Sequence, residues 1–220
     1  MMATSLTPQG YRITLLGSAL LRMWRSWSVI LPVVVINSVA QALLVWTGAL
    51  PGPSISFILA ALASFLVFVG SLTLVLSALL ESAHGSMSHA AVRARTASAL
   101  PRMLMWSAIL LIATVIGLVL YVVPALIVWM LTPFVLIAVV DGQSNPLRAN
   151  FQAIGRHWGR WLVTSIVMGA IGGVLWLLGA LDGFFVTGAL GSLIGWLVLG
   201  LVVSWFSCAW VLLYLRRPSV

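Results

Sequence analysis

From residue 103 to residue 140 the chain runs for 38 residues without a charged side chain. As one α-helix this run would measure about 57 Å, nearly twice the roughly 30 Å of a bilayer's hydrocarbon core. Pro124 lies near its middle, so the run reads as two spans, about 103–122 and 124–140, folded back on each other at a tight turn. The same scarcity holds throughout: charged residues make up 6% of the 220 and apolar ones 62%, with a mean hydropathy of +1.18. Globular domains are about 25% charged, and a soluble fold of this composition could not cover its surface with polar groups. The sequence predicts an all-α polytopic membrane protein. The longest non-apolar stretches are too short to fold as a separate soluble catalytic domain.

The remaining spans follow from apolar runs and their punctuation. Span one is about 28–46, closed by the Pro51-Gly52-Pro53 turn, and span two is about 55–80, ending at Glu81. Spans five and six are about 161–181 and 184–215. All 11 basic residues are Arg. In the six-span reading they all fall on one side: Arg12, Arg22 and Arg25 before span one; Arg93, Arg95 and Arg102 between two and three; Arg148, Arg156 and Arg160 between four and five; Arg216 and Arg217 after six. The opposite loops carry only Asp182. The positive-inside rule then predicts a bacterial cytoplasmic membrane protein with both termini in the cytoplasm. Reading residues 103–140 as one span would put the third Arg cluster outside. Arg22 and Arg25 lie too deep for the n-region of a cleaved signal, and no small-x-small site follows early, so span one is expected to be retained.

The spans group as three hairpins, each expected to follow a cytoplasmic interfacial amphipathic helix, at about 8–26, 86–100 and 145–159. The third is the clearest. Asn145-Pro146 reads as an N-cap followed by proline in the first turn. Arg148, Gln152, Arg156 and Arg160 recur every four residues, opposite Leu147, Phe151, Ile154, Trp158 and Trp161. The first opposes Arg22 and Arg25 to Leu20, Trp24 and Trp27 in the same way. With a pI near 11.6 a soluble chain would suggest nucleic acid. Here the Arg residues at span ends suggest anionic phospholipid, and no nucleic acid is expected. These faces either hold lipid or a partner, or simply seat the next span.

Candidate chemistry is sparse. Glu81, His84 and His89 form the only titratable cluster; a di-iron bundle needs two Glu-x-x-His units and further carboxylates, and the chain has three acids in all. The single cysteine, Cys208, rules out an intramolecular disulfide. Residues 141–146 read as a span end turning into a capped helix, and His157 as a solvated flank residue. Asn37 and Gln41, one turn apart on span one, could line a polar path, though interhelical hydrogen bonds are the commoner use of such amides. Gly169, Gly173, Gly191 and Gly195 would allow close packing of spans five and six or of two protomers. Walker, Gly-x-Ser-x-Gly and dinucleotide motifs are absent, and no catalytic, cofactor-binding or metal residue is expected.

The chain resembles a loosely related set of bacterial six-span inner-membrane proteins, including the membrane domain that precedes some glycerophosphodiester phosphodiesterases. The resemblance is carried by Leu21-Arg22-Met23-Trp24-Arg25 leading into span one, by the long span two, and by Pro133-Phe134-Val135 with Asp141-Gly142-Gln143-Ser144 and Ala149. It implies the fold and an inner-membrane address. It implies no phosphodiesterase activity, since that domain is missing. The function expected is a non-enzymatic, lipid-facing accessory or scaffold in envelope biogenesis or transport, with a membrane-protein partner or a second copy. The alternatives are a small permease or flippase-like transporter and, behind it, a membrane enzyme using Glu81, His84 or Asp141.

Overall fold

The computed structural model describes residues 10–46, 54–83, 88–182 and 188–216, and these are helical almost throughout. In chain order the elements are α1 (Gly10–Arg25), α2 (Trp27–Trp46), α3 (Ile55–Ala83), α4 (His89–Leu120), α5 (Val122–Leu131), α6 (Val135–Val140), α7 (Pro146–Arg156), α8 (Trp158–Asp182) and α9 (Gly188–Leu215). Among the described residues six stretches are long and apolar enough to cross a membrane: α2, α3, α4, α5 with α6, the first part of α8, and α9. The chain is therefore built as a multi-pass membrane protein. The Pro51-Gly52-Pro53 turn, His84 and residues 183–187 lie outside the described residues.

Two expected boundaries differ. Residues 86–100 and 103–122 were expected as separate segments, but α4 is continuous from His89 to Leu120, with Pro101 inside it. Ser88 caps its first turn by accepting from the Ala91 N–H. α4 packs against α3 and α6, and from its first third Arg95 reaches back to Glu81 in a 2.7 Å ion pair. Those tertiary contacts hold the helix together through the proline. The fourth span, in contrast, is interrupted: α5 stops at Leu131 and α6 starts at Val135.

α9 is the central post. It packs most extensively against α2, and also against α1 and α3. A Cβ added to Gly200 of α9 would come 2.7 Å from Val34 of α2. α1 crosses α9: Trp205 Nε1 donates to the Leu16 carbonyl at 3.1 Å, while Cys208 lies against the Met23 backbone. Seven residues of α1 are thus matched by three of α9. The core is concentrated at one end, in residues 75–80 of α3, every residue of α6 but the half-buried Leu136, and residues 208–211 with Leu213 of α9. The first half of α3 and the end of α4 are exposed, as a lipid-facing surface would be.

Hydrogen bonds tie this buried end to the charged residues. Besides its pair with Glu81, Arg95 donates to the Val140 carbonyl at 3.5 Å, and Arg102 donates to the Gln143 carbonyl at 2.5 Å. Both lie at the C-terminal end of α6, where the helix dipole favours cations. Tyr214 Oη donates to Asp141 at 3.1 Å, and His157 Nε2 lies 2.9 Å from the Arg216 carbonyl. His157, read from sequence as a solvated flank residue, is half-buried and links the α7–α8 corner to the end of α9.

Candidate functional site

The site grows from Pro133. Having no N–H, it cannot continue the helical ladder, and the carbonyls before it lose their intrahelical donors. Inside a membrane such groups must find partners within the protein. Here α7 and α8 supply them. Asn150, fully buried on α7, accepts from the Phe134 N–H at 2.9 Å and donates to the Leu131 carbonyl at 2.7 Å. Trp161, near the start of α8, donates from Nε1 to the Met130 carbonyl at 3.0 Å. Thr132 bonds back to the Val128 carbonyl at 2.7 Å. Phe134 itself is fully buried, edge-on to Trp210 with ring centroids 5.3 Å apart.

These bonds require α7 to present three faces. Pro146, Asn150 and Ala153 face the protein and are buried. Leu147, Phe151 and, just beyond the helix, Trp158 are exposed apolar groups. Arg148, Gln152 and Arg156 are exposed on the remaining sector. At 100° per residue the three sets fall about 120° apart. The expected N-terminus is present: Asn145 accepts from the Arg148 N–H at 3.0 Å, with Pro146 opening the helix and Gly142 at φ +80° in the preceding turn. Of the other basic residues named from sequence, Arg25 and Arg160 are exposed and Arg22 is half-buried. Exposed Trp24 stacks on Trp27 at 5.2 Å.

Beside the break lies a part-open crevice of about 330 Å³. Its wall includes Leu110 and Thr114 of α4, Trp129 and Met130 of α5, Ser165 of α8 and Phe206 of α9. Trp129 and Leu111 on its margin are about half exposed, so its mouth lies on the lateral surface of the molecule.

The amides on α2 have different fates. Gln41 is clamped to α3: its Nε2 donates to the Ser64 carbonyl at 3.1 Å, and its Oε1 accepts from Ser64 Oγ at 2.7 Å. Asn37 is buried beside a cavity of only about 30 Å³, its Oδ1 without a partner. Within the single chain a Cβ built at Gly169, Gly173 or Gly195 finds nothing within 4 Å, which leaves their packing against a second copy untouched. Close approach occurs instead at Gly200 and at Gly117, where a Cβ would lie 2.7 Å from the Ala125 backbone nitrogen. Glu81 is engaged by Arg95, and Asp141 by Tyr214 and Gln143.

Sequence reasoning missed Asn150 and Trp161 as partners of the helix break. An uncharged polar residue in register with Pro146 and Ala153, between the apolar and charged stripes of the helix, was the available signal. No protein-family model, curated protein or solved structure matches the chain.

Proposed function

We propose that this chain is a non-enzymatic accessory protein of the bacterial cytoplasmic membrane, both termini cytoplasmic, which holds anionic phospholipids along its basic end and so serves envelope biogenesis or transport. The observation that carries the reading is the division of α7. Its Arg148 and Arg156 are exposed beside exposed Phe151 and Trp158, which is how a helix at head-group depth meets phosphate and acyl chain together. The third face binds α7 to the core through Asn150, so lipid held there is coupled to the packing of the fourth span. A permease finds less support, because Gln41 is used in an interhelical clamp.

The test is native mass spectrometry of a triple variant, Arg148→Gln, Arg156→Gln and Arg160→Gln. Each Arg near an anionic surface contributes about 1 kcal/mol, so anionic-lipid retention should fall by up to about 100-fold while zwitterionic lipid changes little. A cysteine in place of Val123, in a Cys208→Ala background, should label from the outside in both wild type and variant, which excludes misinsertion. Equal anionic-lipid occupancy in variant and wild type would overturn the reading.

A further inference from the structure

The crevice beside the broken fourth span is not used by the basic face. Its depth can be read along three helices. Ser165 lies five residues beyond Arg160, Leu110 eight beyond Arg102 and Leu72 nine before Glu81. At 1.5 Å per residue these positions lie about 7–14 Å from the charged end, within one leaflet's share of a roughly 30 Å hydrocarbon core. A lateral mouth at that depth opens onto acyl chains. The volume, about 330 Å³, is at the low end of the roughly 300–1,000 Å³ range of ligand pockets and suits a single chain.

One buried polar atom on the wall has no partner among the described residues. Thr114 and Thr132 bond back to the carbonyls of Leu110 and Val128 at 2.7 Å, as hydroxyls on apolar helices usually do. Ser165 lines the crevice, and its Oγ is buried and makes no hydrogen bond; the residue is 4% exposed. A hydroxyl left unpaired in so apolar a place carries a desolvation cost that a ligand acceptor would relieve. Of the three positions, Ser165 is the shallowest, where the ester groups of a lipid would lie above its chains.

We propose that this crevice is a binding site for one acyl chain of a glycerophospholipid from the leaflet on the basic side, with Ser165 Oγ donating to the chain's ester carbonyl. The tail runs between Thr114, Trp129 and Phe206 toward the middle of the bilayer. Recognition is of the chain and its ester, and needs none of the Arg residues of α7.

The test uses full-length protein in vesicles containing phosphatidylcholine that carries a photoactivatable diazirine midway along one acyl chain. This lipid is zwitterionic, so failure here is separate from failure of the basic-face reading. Cross-links to Leu111, Thr114, Trp129 and Phe206 should exceed those to the exposed α2 residues Val35 and Ile36, eight and nine residues beyond Trp27 and so at a similar depth, by about tenfold. Ser165→Ala should lower crevice cross-linking about fivefold, the value of one hydrogen bond, and Ser207→Phe, which fills the space from α9, should abolish it. Labelling of Val35 and Ile36 should stay unchanged in both variants, which controls for folding. Crevice labelling no higher than at Val35 and Ile36 would overturn the proposal, as would a crevice labelled by a diazirine fatty acid but not by the phospholipid.

Discussion

The two halves of the fourth span are alike in sequence and opposite in structure. α5 and α6 are both uninterrupted runs of apolar residues, separated by Thr132, Pro133 and Phe134. Yet Leu126, Ile127 and Trp129 of α5 are about half exposed, whereas Val135, Ile137, Ala138, Val139 and Val140 of α6 are buried. Apolar character therefore does not say what a membrane residue faces, because lipid and protein interior accept the same side chains. The break decides it: three residues release the chain from one line and turn α6 into the gap between α3, α4 and α7. Polar groups freed at the turn give the core end specific partners that the lipid-facing half lacks.

The sharpest contrast should come from truncating one side chain on each side of the break. In soluble cores Phe→Ala costs about 3–5 kcal/mol, part of which is transfer from water and is not available in lipid. Phe134→Ala should accordingly destabilise by about 2–3 kcal/mol, read by unfolding in mixed detergent, and Ile127→Ala by less than about 0.5 kcal/mol. Equal losses would mean that α5 packs as tightly as α6. Next is Asn150→Leu, which keeps the volume but strands the Phe134 N–H and the Leu131 carbonyl. At about 1 kcal/mol or more for each buried group left unpaired, a loss of about 2 kcal/mol is expected. The loss should be accompanied by faster hydrogen exchange at Phe134 while exchange within α5 is unchanged. The smallest effect belongs to Trp161→Phe, which removes the donor to Met130 and trims the partly buried ring, and should cost about 1 kcal/mol. A loss as large as that of Asn150→Leu would place the main clamp on α8 rather than α7.

Much of the architecture was legible from charge and length. The 38-residue run had to fold back, and the Arg spacing marked where α7 begins and ends, with Asn145 and Pro146 as the cap. The interruption at Pro133 was visible as a residue but not as an event, because Pro32 and Pro101 sit inside continuous helices of the same protein. What distinguishes Pro133 is the presence of Asn150 and Trp161 within reach of the freed carbonyls, a tertiary fact 17 and 28 residues away along the chain. Likewise the glycines at four-residue spacing on α8 and α9 looked like packing sites, whereas Gly117 and Gly200, without that spacing, are where backbone and side chain come close. Spacing reports which residues share a helix face; it does not report what that face meets. The third face of α7 was hidden for the same reason, since Asn150 and Ala153 belong to neither an apolar nor a charged stripe.

The crossing of α1 over α9 sets an order for assembly during synthesis. Trp205 and Leu16 are 189 residues apart, and α2 finds its principal neighbour in the same late helix. At roughly 5–20 residues per second, the first span waits on the order of 10–40 s for α9 to be made. Throughout that interval the surface around Ile30 and Val34, and the buried amide of Asn37, face lipid or the insertion machinery instead of protein. An insertase able to shield one amphiphilic helix pair until the last arrives would therefore matter more to this chain than to one whose hairpins close in sequence.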